Sequence, residues 1–481
     1  MSEPRSDGDD GVGVRHARTV SLLAVAEVAG KLASFVMFAV AARVLGVADF
    51  GVFSWSFNLA LMVSTFVLWG FDIALIQLAT RIPARLDELL SNTLALRGLL
   101  IPPAVLVAVL VPGAPEGARP VTLLLSIAVL LDSANQAIRS AAAVRDRQRS
   151  VAINLVVQRL ATAGLAVAVL FSGGGVVGMS AAYLAGTLVG VVLMFVTGHR
   201  IGLRPRLGQV SRAGIAEIAR GSTALGLSTT INMLIFRIDT VLLGWMLNAT
   251  AVGSYSAAYK LFETALFVLW SVDRVALPTM AAAEGDEPVR RGVHRACSVV
   301  FAVYFPYALL LGIRSEEVLR LIFGSPYGVD SGNSLRWLMV ALIPYSVQYL
   351  VAAGLLARSK NRRVTSAGIV ALGINVGANL ALIPRFGPAG AAAASAAAMS
   401  VQALLLWGML WRLVGSPGVL RAALVPGVAS VVMVPVLLTS LPLIPAAVVA
   451  AVVYGVVWLV VAGKFDPVAR RTLVGMVARR G

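Results

Sequence analysis

The chain has 481 residues, 58% hydrophobic and 13% charged, with a mean hydropathy of +0.86, which is more apolar surface than one soluble core could bury and excludes an ordinary soluble globular protein. A net charge of +17 would suggest nucleic acid in a soluble protein; here it falls in loops between apolar segments, where it faces anionic lipid, and no nucleic-acid role follows. Cys297 is the single cysteine, so a disulfide framework or a Cys-ligated zinc site within one chain is excluded.

Residues 1–18 open with an acidic, glycine-containing stretch (Asp7, Gly8, Asp9, Asp10) that reads as a disordered tail. Apolar segments of roughly 20 residues, the length needed to cross a bilayer, then follow one another. They predict about fourteen spans, centred on 19–44, 54–80, 92–112, 120–143, 150–171, 176–198, 215–246, 254–283, 293–313, 333–357, 364–384, 388–412, 418–439 and 443–463. Ala39-Val40-Ala41 resembles a signal-peptide cleavage site, but Glu27 and Lys31 interrupt the apolar region such a signal needs, so the first segment is read as a retained helix. The loop from Arg314 to Asn333 is the longest on its side and predicts a short interfacial helix followed by a turn at Phe323-Gly324-Ser325-Pro326.

Basic residues occupy every second loop. Arg15 and Arg18, Arg81 and Arg85, Arg145 to Arg149, Arg200 to Arg212, Arg290 to Arg295, Arg358 to Arg363, Arg412 and Arg421, and the tail from Lys464 alternate with loops poor in charge, of which Ser172 to Gly175 and Asn248 to Val252 carry none and Pro384 to Pro388 only Arg385. Loops that stay in the cytoplasm keep Lys and Arg, so both termini are expected to be cytoplasmic and the number of spans even.

The sequence also repeats itself. Val67-Leu-Trp-Gly-Phe-Asp72 returns as Val268-Leu-Trp-Ser-Val-Asp273, and upstream Phe50-Gly-Val-Phe53 matches Val252-Gly-Ser-Tyr255, with Asn58 over Lys260. A duplicated membrane chain points to a transporter. The basic linker 201–214 separates two sets of six spans, 19–200 and 215–413. Residues 414–463 supply two further spans, and 464–481 a basic tail. Six is even, so the copies share one orientation and the substrate site is expected in a cavity between them.

Ionisable groups within spans are costly to bury and mark the candidate site. Several fall in helical stripes: Glu27, Lys31 and Ser34; Ser54, Asn58, Thr65 and Asp72; Asp132, Asn135, Gln136 and Arg139; Ser256, Lys260 and Glu263; Asn154, Gln158 and Arg159, and Arg237 and Asp239, add further polar atoms. One reading makes these ion pairs that fix helix register: Glu27 with Lys31, Lys260 with Glu263, Asp132 with Arg139 or Arg159. The other makes Lys31, Arg159, Arg237 and Lys260 a cationic surface for an anionic headgroup, since ammonium and guanidinium donors match phosphate. On that reading Glu27, Asp72, Asp132, Asp239 and Glu263 serve as counterions or carry a coupling proton or sodium ion. No catalytic or metal-binding motif stands out: Gly173 to Gly178 has dinucleotide-loop spacing but no preceding strand, and no metalloprotease, nucleophile-elbow or phosphate-loop pattern occurs.

Arg43-Val-Leu-Gly-Val-Ala-Asp-Phe-Gly-Val-Phe53 resembles the opening of the bacterial polysaccharide biosynthesis proteins, the Wzx-type oligosaccharide flippases. Arg237-Ile-Asp-Thr-Val-Leu-Leu-Gly244, followed by Val252-Gly-Ser-Tyr-Ser-Ala-Ala-Tyr-Lys-Leu-Phe-Glu263, is similar to that family's second repeat. The resemblance implies an all-α integral membrane protein with two six-helix bundles in a V plus two C-terminal helices. It also implies a cationic central cavity, and alternating access that carries a polyprenyl-diphosphate-linked oligosaccharide to the outer leaflet of the bacterial plasma membrane. It implies no enzyme activity and no cofactor beyond a coupling ion; membrane lipid, a polysaccharide polymerase and glycosyltransferases are the expected partners. The superfamily also holds lipid II flippases, whose arginine-rich first helix is not matched here, and multidrug antiporters, which usually have twelve spans. Both remain alternatives.

Overall fold

In hydrocarbon every backbone N–H and C=O has to be satisfied within its own segment, so long apolar stretches fold as helices. The computed structural model describes the backbone of residues 8–465 and the side chains of 29–462 apart from 224, 225 and 228. Among the described residues there is no strand. The helices are α1 (Gly8–Leu68), α2 (Phe71–Arg81), α3 (Leu86–Leu110), α4 (Ala118–Val144), α5 (Gln148–Phe171), α6 (Gly175–Arg200), α7 (Arg212–Met246), α8 (Ala249–Ala282), α9 (Glu287–Ile313), α10 (Ser315–Phe323), α11 (Val329–Ala357), α12 (Asn361–Val414), α13 (Val419–Leu437) and α14 (Leu443–Phe465). α1 thus begins within the stretch that composition reads as a tail.

Two pairs of expected spans are joined without a loop. α1 holds the first span and most of the second, and reverses at Gly46 (φ 77, ψ 177). α12 holds the eleventh and twelfth and reverses at Gly387 (φ 58, ψ −137), between Pro384 and Pro388. Only glycine takes these angles at little cost, so each helix turns on a single residue. The second span breaks again at Trp69 (φ 32) and Gly70 (φ 71), and α2 carries its last part. With these breaks counted, the helices supply the fourteen expected spans; eleven stretches are apolar and long enough by composition alone, two of them being the joined pairs. α10 is the short helix expected in the Arg314 to Asn333 loop, and Gly324 (φ 104) turns the chain after it.

Contacts divide the chain into two compact units, Met1–Met233 and Leu234–Gly481, so the division falls inside α7. In the first unit α1 packs on α4 and α5, α4 on α3 and α6, and α5 on α6. The start of α7 is fastened there. Asp87, Ser91 and Asn92 of α3 accept the backbone N–H groups of Arg204 (3.2 Å), Arg206 (2.9 Å) and Ser211 (2.9 Å). Arg85 bridges Glu88 (2.8 Å) and Glu217 (2.9 Å). The linker is therefore a strap laid on α3.

In the second unit α11 packs on α12, α8 and α9, while α13 lies on α9 and pairs with α14. The two surplus helices are bound by side chains that satisfy exposed carbonyls. Arg290 donates to Val414 (2.9 Å), and the Tyr454 hydroxyl to Ala302 (2.7 Å). Arg314 donates to Leu437 (3.3 Å), Thr439 (3.2 Å) and Leu441 (2.8 Å), the carbonyls left open where α13 ends. The Glu317 carboxylate holds that guanidinium from its other side and raises its pKa.

Candidate functional site

In the second unit, Arg237 on α7 and Lys260 on α8 converge on one acid. Glu263 lies 2.9 Å from Arg237 Nη1 and 2.8 Å from Lys260 Nζ; the three side chains are 16%, 16% and 22% exposed. Lys260 and Glu263 are three residues apart on α8 and so share a face, as their spacing predicts. Two cations thus share one carboxylate. Tyr259, which is buried beside it, has a hydroxyl with no hydrogen-bond partner.

Asp239 lies two residues from Arg237, and side chains two apart on a helix point to different faces. It is 1% exposed and takes no part in the cationic cluster. Tyr255 donates to its Oδ2 (2.9 Å), Ser395 to the same oxygen, and Asn379 Nδ2 to its Oδ1 (2.8 Å). Every partner is neutral. Asn375 and Asn379, four residues apart on α12, are fully buried, and the Oδ1 atoms of both are without a hydrogen bond. The Asn375 Nδ2 is likewise buried without a hydrogen bond.

In the first unit, Lys31 and Arg159 occupy neighbouring helices. A Cβ on Gly30 would come within 2.9 Å of Arg159 Cδ, so the absence of a side chain at Gly30 lets the arginine cross α1 one residue from Lys31. Asp132 accepts from Asn135 (2.9 Å) and Gln158 (2.9 Å), and Asn135 also donates to Gln158 Oε1 (3.2 Å). Its partners are therefore amides and not Arg139 or Arg159, the cations considered from sequence. Asp72 pairs with Arg97 of α3 at 2.8 Å. The side chain of Glu27 lies outside the described residues.

Sequence reasoning missed Arg97, Tyr255, Asn375, Asn379 and Ser395. Arg97 carried a signal, since it is a charge in the middle of the third apolar segment. Asn375 and Asn379 carried a weaker one, their four-residue spacing.

Among the described residues no group of three His, Cys, Asp or Glu side chains is placed to hold a metal ion. The arrangement is one of fixed charges and hydrogen-bonding groups buried in membrane helices.

The polysaccharide biosynthesis protein family model matches residues 17–284, and the model of the lipid II flippase MurJ matches residues 151–467. The chain is 28% identical over 174 residues to the probable flippase AglR of Haloferax volcanii, a match that spans 35% of this chain and 36% of that protein. Its fold is similar to that of the lipid II flippase MurJ in an inward closed conformation, with a TM-score of 0.75 at 12% identity over 92% of this chain and 99% of that one. It is also similar to an inward-facing multidrug resistance MATE family transporter, with a TM-score of 0.64 at 15% identity over 80% and 94% of the two chains.

Proposed function

We propose that this chain, which belongs to the polysaccharide biosynthesis protein family, is a flippase that moves a polyprenyl-diphosphate-linked oligosaccharide from the inner to the outer leaflet of the bacterial plasma membrane. The observation that carries the reading is the Arg237–Glu263–Lys260 cluster, where two partly buried cations share one acid. A sugar diphosphate cannot cross some 30 Å of hydrocarbon unaided, because its charges would be desolvated. A cationic cluster inside the helices replaces water around the diphosphate, and the prenyl chain stays in lipid. Lys31 and Arg159 supply the corresponding pair in the first unit. Both termini face the cytoplasm, the polymerase and glycosyltransferases of surface polysaccharide synthesis act alongside, and the chain itself catalyses no bond change.

A coupling ion fits Asp239. Its neighbours are hydroxyls and amides, and Asn375 and Asn379 each hold an unbonded buried oxygen beside it. Hard oxygen donors around one carboxylate suit a proton or a sodium ion. Bound there, the ion would neutralise a carboxylate that has no cationic partner, which changes the charge of the bundle between transport states.

The lipid II flippase model matches the larger part of the chain and supports lipid II as a second substrate reading within the same mechanism. Reconstitution into proteoliposomes decides among the readings. The flippase moves a fluorescent polyprenyl-diphosphate oligosaccharide to the leaflet exposed to a membrane-impermeant quencher and leaves a cationic dye in place. Movement of the dye alone would make the chain a drug exporter.

A further inference from the structure

The internal repeat leaves one acid unexplained. Asp72 and Asp273 occupy the same place in the two copies, each three residues after a tryptophan, Trp69 and Trp270. Asp72 is neutralised by Arg97. Among the described residues Asp273 forms no salt bridge, and its Oδ1, like that of Asp72, is buried without a hydrogen bond, so what separates the two acids is the counterion. An isolated buried acceptor costs about 1–3 kcal/mol when a partner is missing, so one that persists calls for a ligand.

Its surroundings indicate which ligand. Glu263, Trp270 and Asp273 follow at spacings of seven and three along α8, on the flank that packs against α11. From α11, Tyr345 and Tyr349 stand within the electrostatic reach of Asp273. Their rings are 6.0 Å apart, and Trp270 stands beside the Tyr345 hydroxyl. Tyr345 is buried and held on its other sides by Phe236 (5.3 Å) and Phe262 (5.8 Å). Tyr349, Trp270 and Asp273 are only partly buried. The seam therefore presents the partly open rings of Trp270 and Tyr349 beside a carboxylate in need of donors, backed by a fixed aromatic layer.

We propose that Trp270, Asp273 and Tyr349 form a carbohydrate subsite that binds the first sugars of the lipid-linked glycan. A pyranose offers both things the seam lacks: C–H faces that lie against aromatic rings, and hydroxyl groups that donate to a carboxylate. Asp273 is ten residues beyond Glu263 on α8, about 15 Å along the axis. A diphosphate at the Arg237–Lys260 cluster thus leaves the seam to the sugars attached to it. The inference rests on the flippase reading for the identity of that diphosphate, while the residues and the ligand chemistry are its own.

The test compares two lipids binding to the full chain in nanodiscs, polyprenyl diphosphate with its oligosaccharide and polyprenyl diphosphate without it. Asp273→Ala and Tyr349→Ala are expected to weaken binding of the glycosylated lipid about tenfold each, and to leave the bare diphosphate lipid unchanged. Asp273→Asn keeps an acceptor and Tyr349→Phe keeps the ring, so both are expected to bind within a few-fold of wild type. Equal losses for the two lipids overturn the subsite. So does an Asp273→Asn variant as impaired as Asp273→Ala, because charge and not hydrogen bonding would then be what matters. Wild-type protein that binds neither lipid would overturn the flippase reading itself. The conservative variants keep the outcome readable should an alanine variant fail to fold.

Discussion

Arg97 and Asp72 form an ion pair of 2.8 Å in which the arginine is 1% exposed. Arg97 also donates to the Ser133 carbonyl, so one guanidinium joins α3 to α4 and to α2 just beyond the break at Trp69 and Gly70. Removing one partner leaves the other charged and buried, so Asp72→Ala or Arg97→Ala is expected to lower the unfolding free energy by about 3–5 kcal/mol. An apolar double replacement, Asp72→Leu with Arg97→Met, is expected to cost less than either single change. Unfolding measured in lipid bicelles checks the order, and a double variant weaker than both singles would show that the pair is more than mutual compensation.

Glu263 sets the charge that the cationic cluster presents. Replacing it with Gln removes the shared counterion of Arg237 and Lys260, so binding of a diphosphate lipid is expected to tighten about tenfold and its dependence on salt to steepen. Titration at two ionic strengths reads both effects. Unchanged affinity would mean that the cluster serves only to fix α7 against α8.

Gly226 is where α7 meets the broken span. A Cβ added there would lie 2.6 Å from the Trp69 carbonyl oxygen, a backbone atom at a residue with φ 32. Gly226→Val therefore has to displace either α7 or the break. It is expected to destabilise the first unit by about 1–3 kcal/mol, while Gly221→Ala, whose Cβ meets only the Ala74 methyl at 3.7 Å, is expected to be nearly neutral. Comparison of the two melting temperatures checks this.

The helices were legible because membrane spans are set by length and hydropathy, and their loops by the placement of arginine. The joined pairs were not, because a single glycine can reverse a helix that composition reads as two segments and a loop; Gly46 and Gly387 differ from other glycines only in backbone angle. Among the site residues, the Lys260 and Glu263 pair follows from helical spacing alone, but Arg237 reaches Glu263 only through the packing of α7 on α8. Two of the partners of Asp239 lie 140 and 156 residues away in sequence, at Asn379 and Ser395, and no local pattern ties them to it. Asp72 looked like one more member of a polar stripe until the fold placed Arg97 beside it.

Asp239 separates coupling from binding. Asp239→Asn preserves shape and most hydrogen bonds but removes the charge, so flipping driven by an ion gradient is expected to lose its dependence on that gradient, with affinity for the diphosphate lipid retained. Initial rates with and without imposed sodium and proton gradients test this. A variant that responds to both gradients as wild type does would place coupling elsewhere.

The most direct test of the account is the initial rate at which reconstituted protein flips a fluorescent polyprenyl-diphosphate oligosaccharide, compared for wild type, Arg237→Ala, Lys260→Ala and Lys260→Arg. The account predicts a loss of about tenfold or more in each alanine variant, with normal membrane insertion, and substantial recovery in Lys260→Arg, since the positive charge is retained. Wild-type rates in both alanine variants would contradict it.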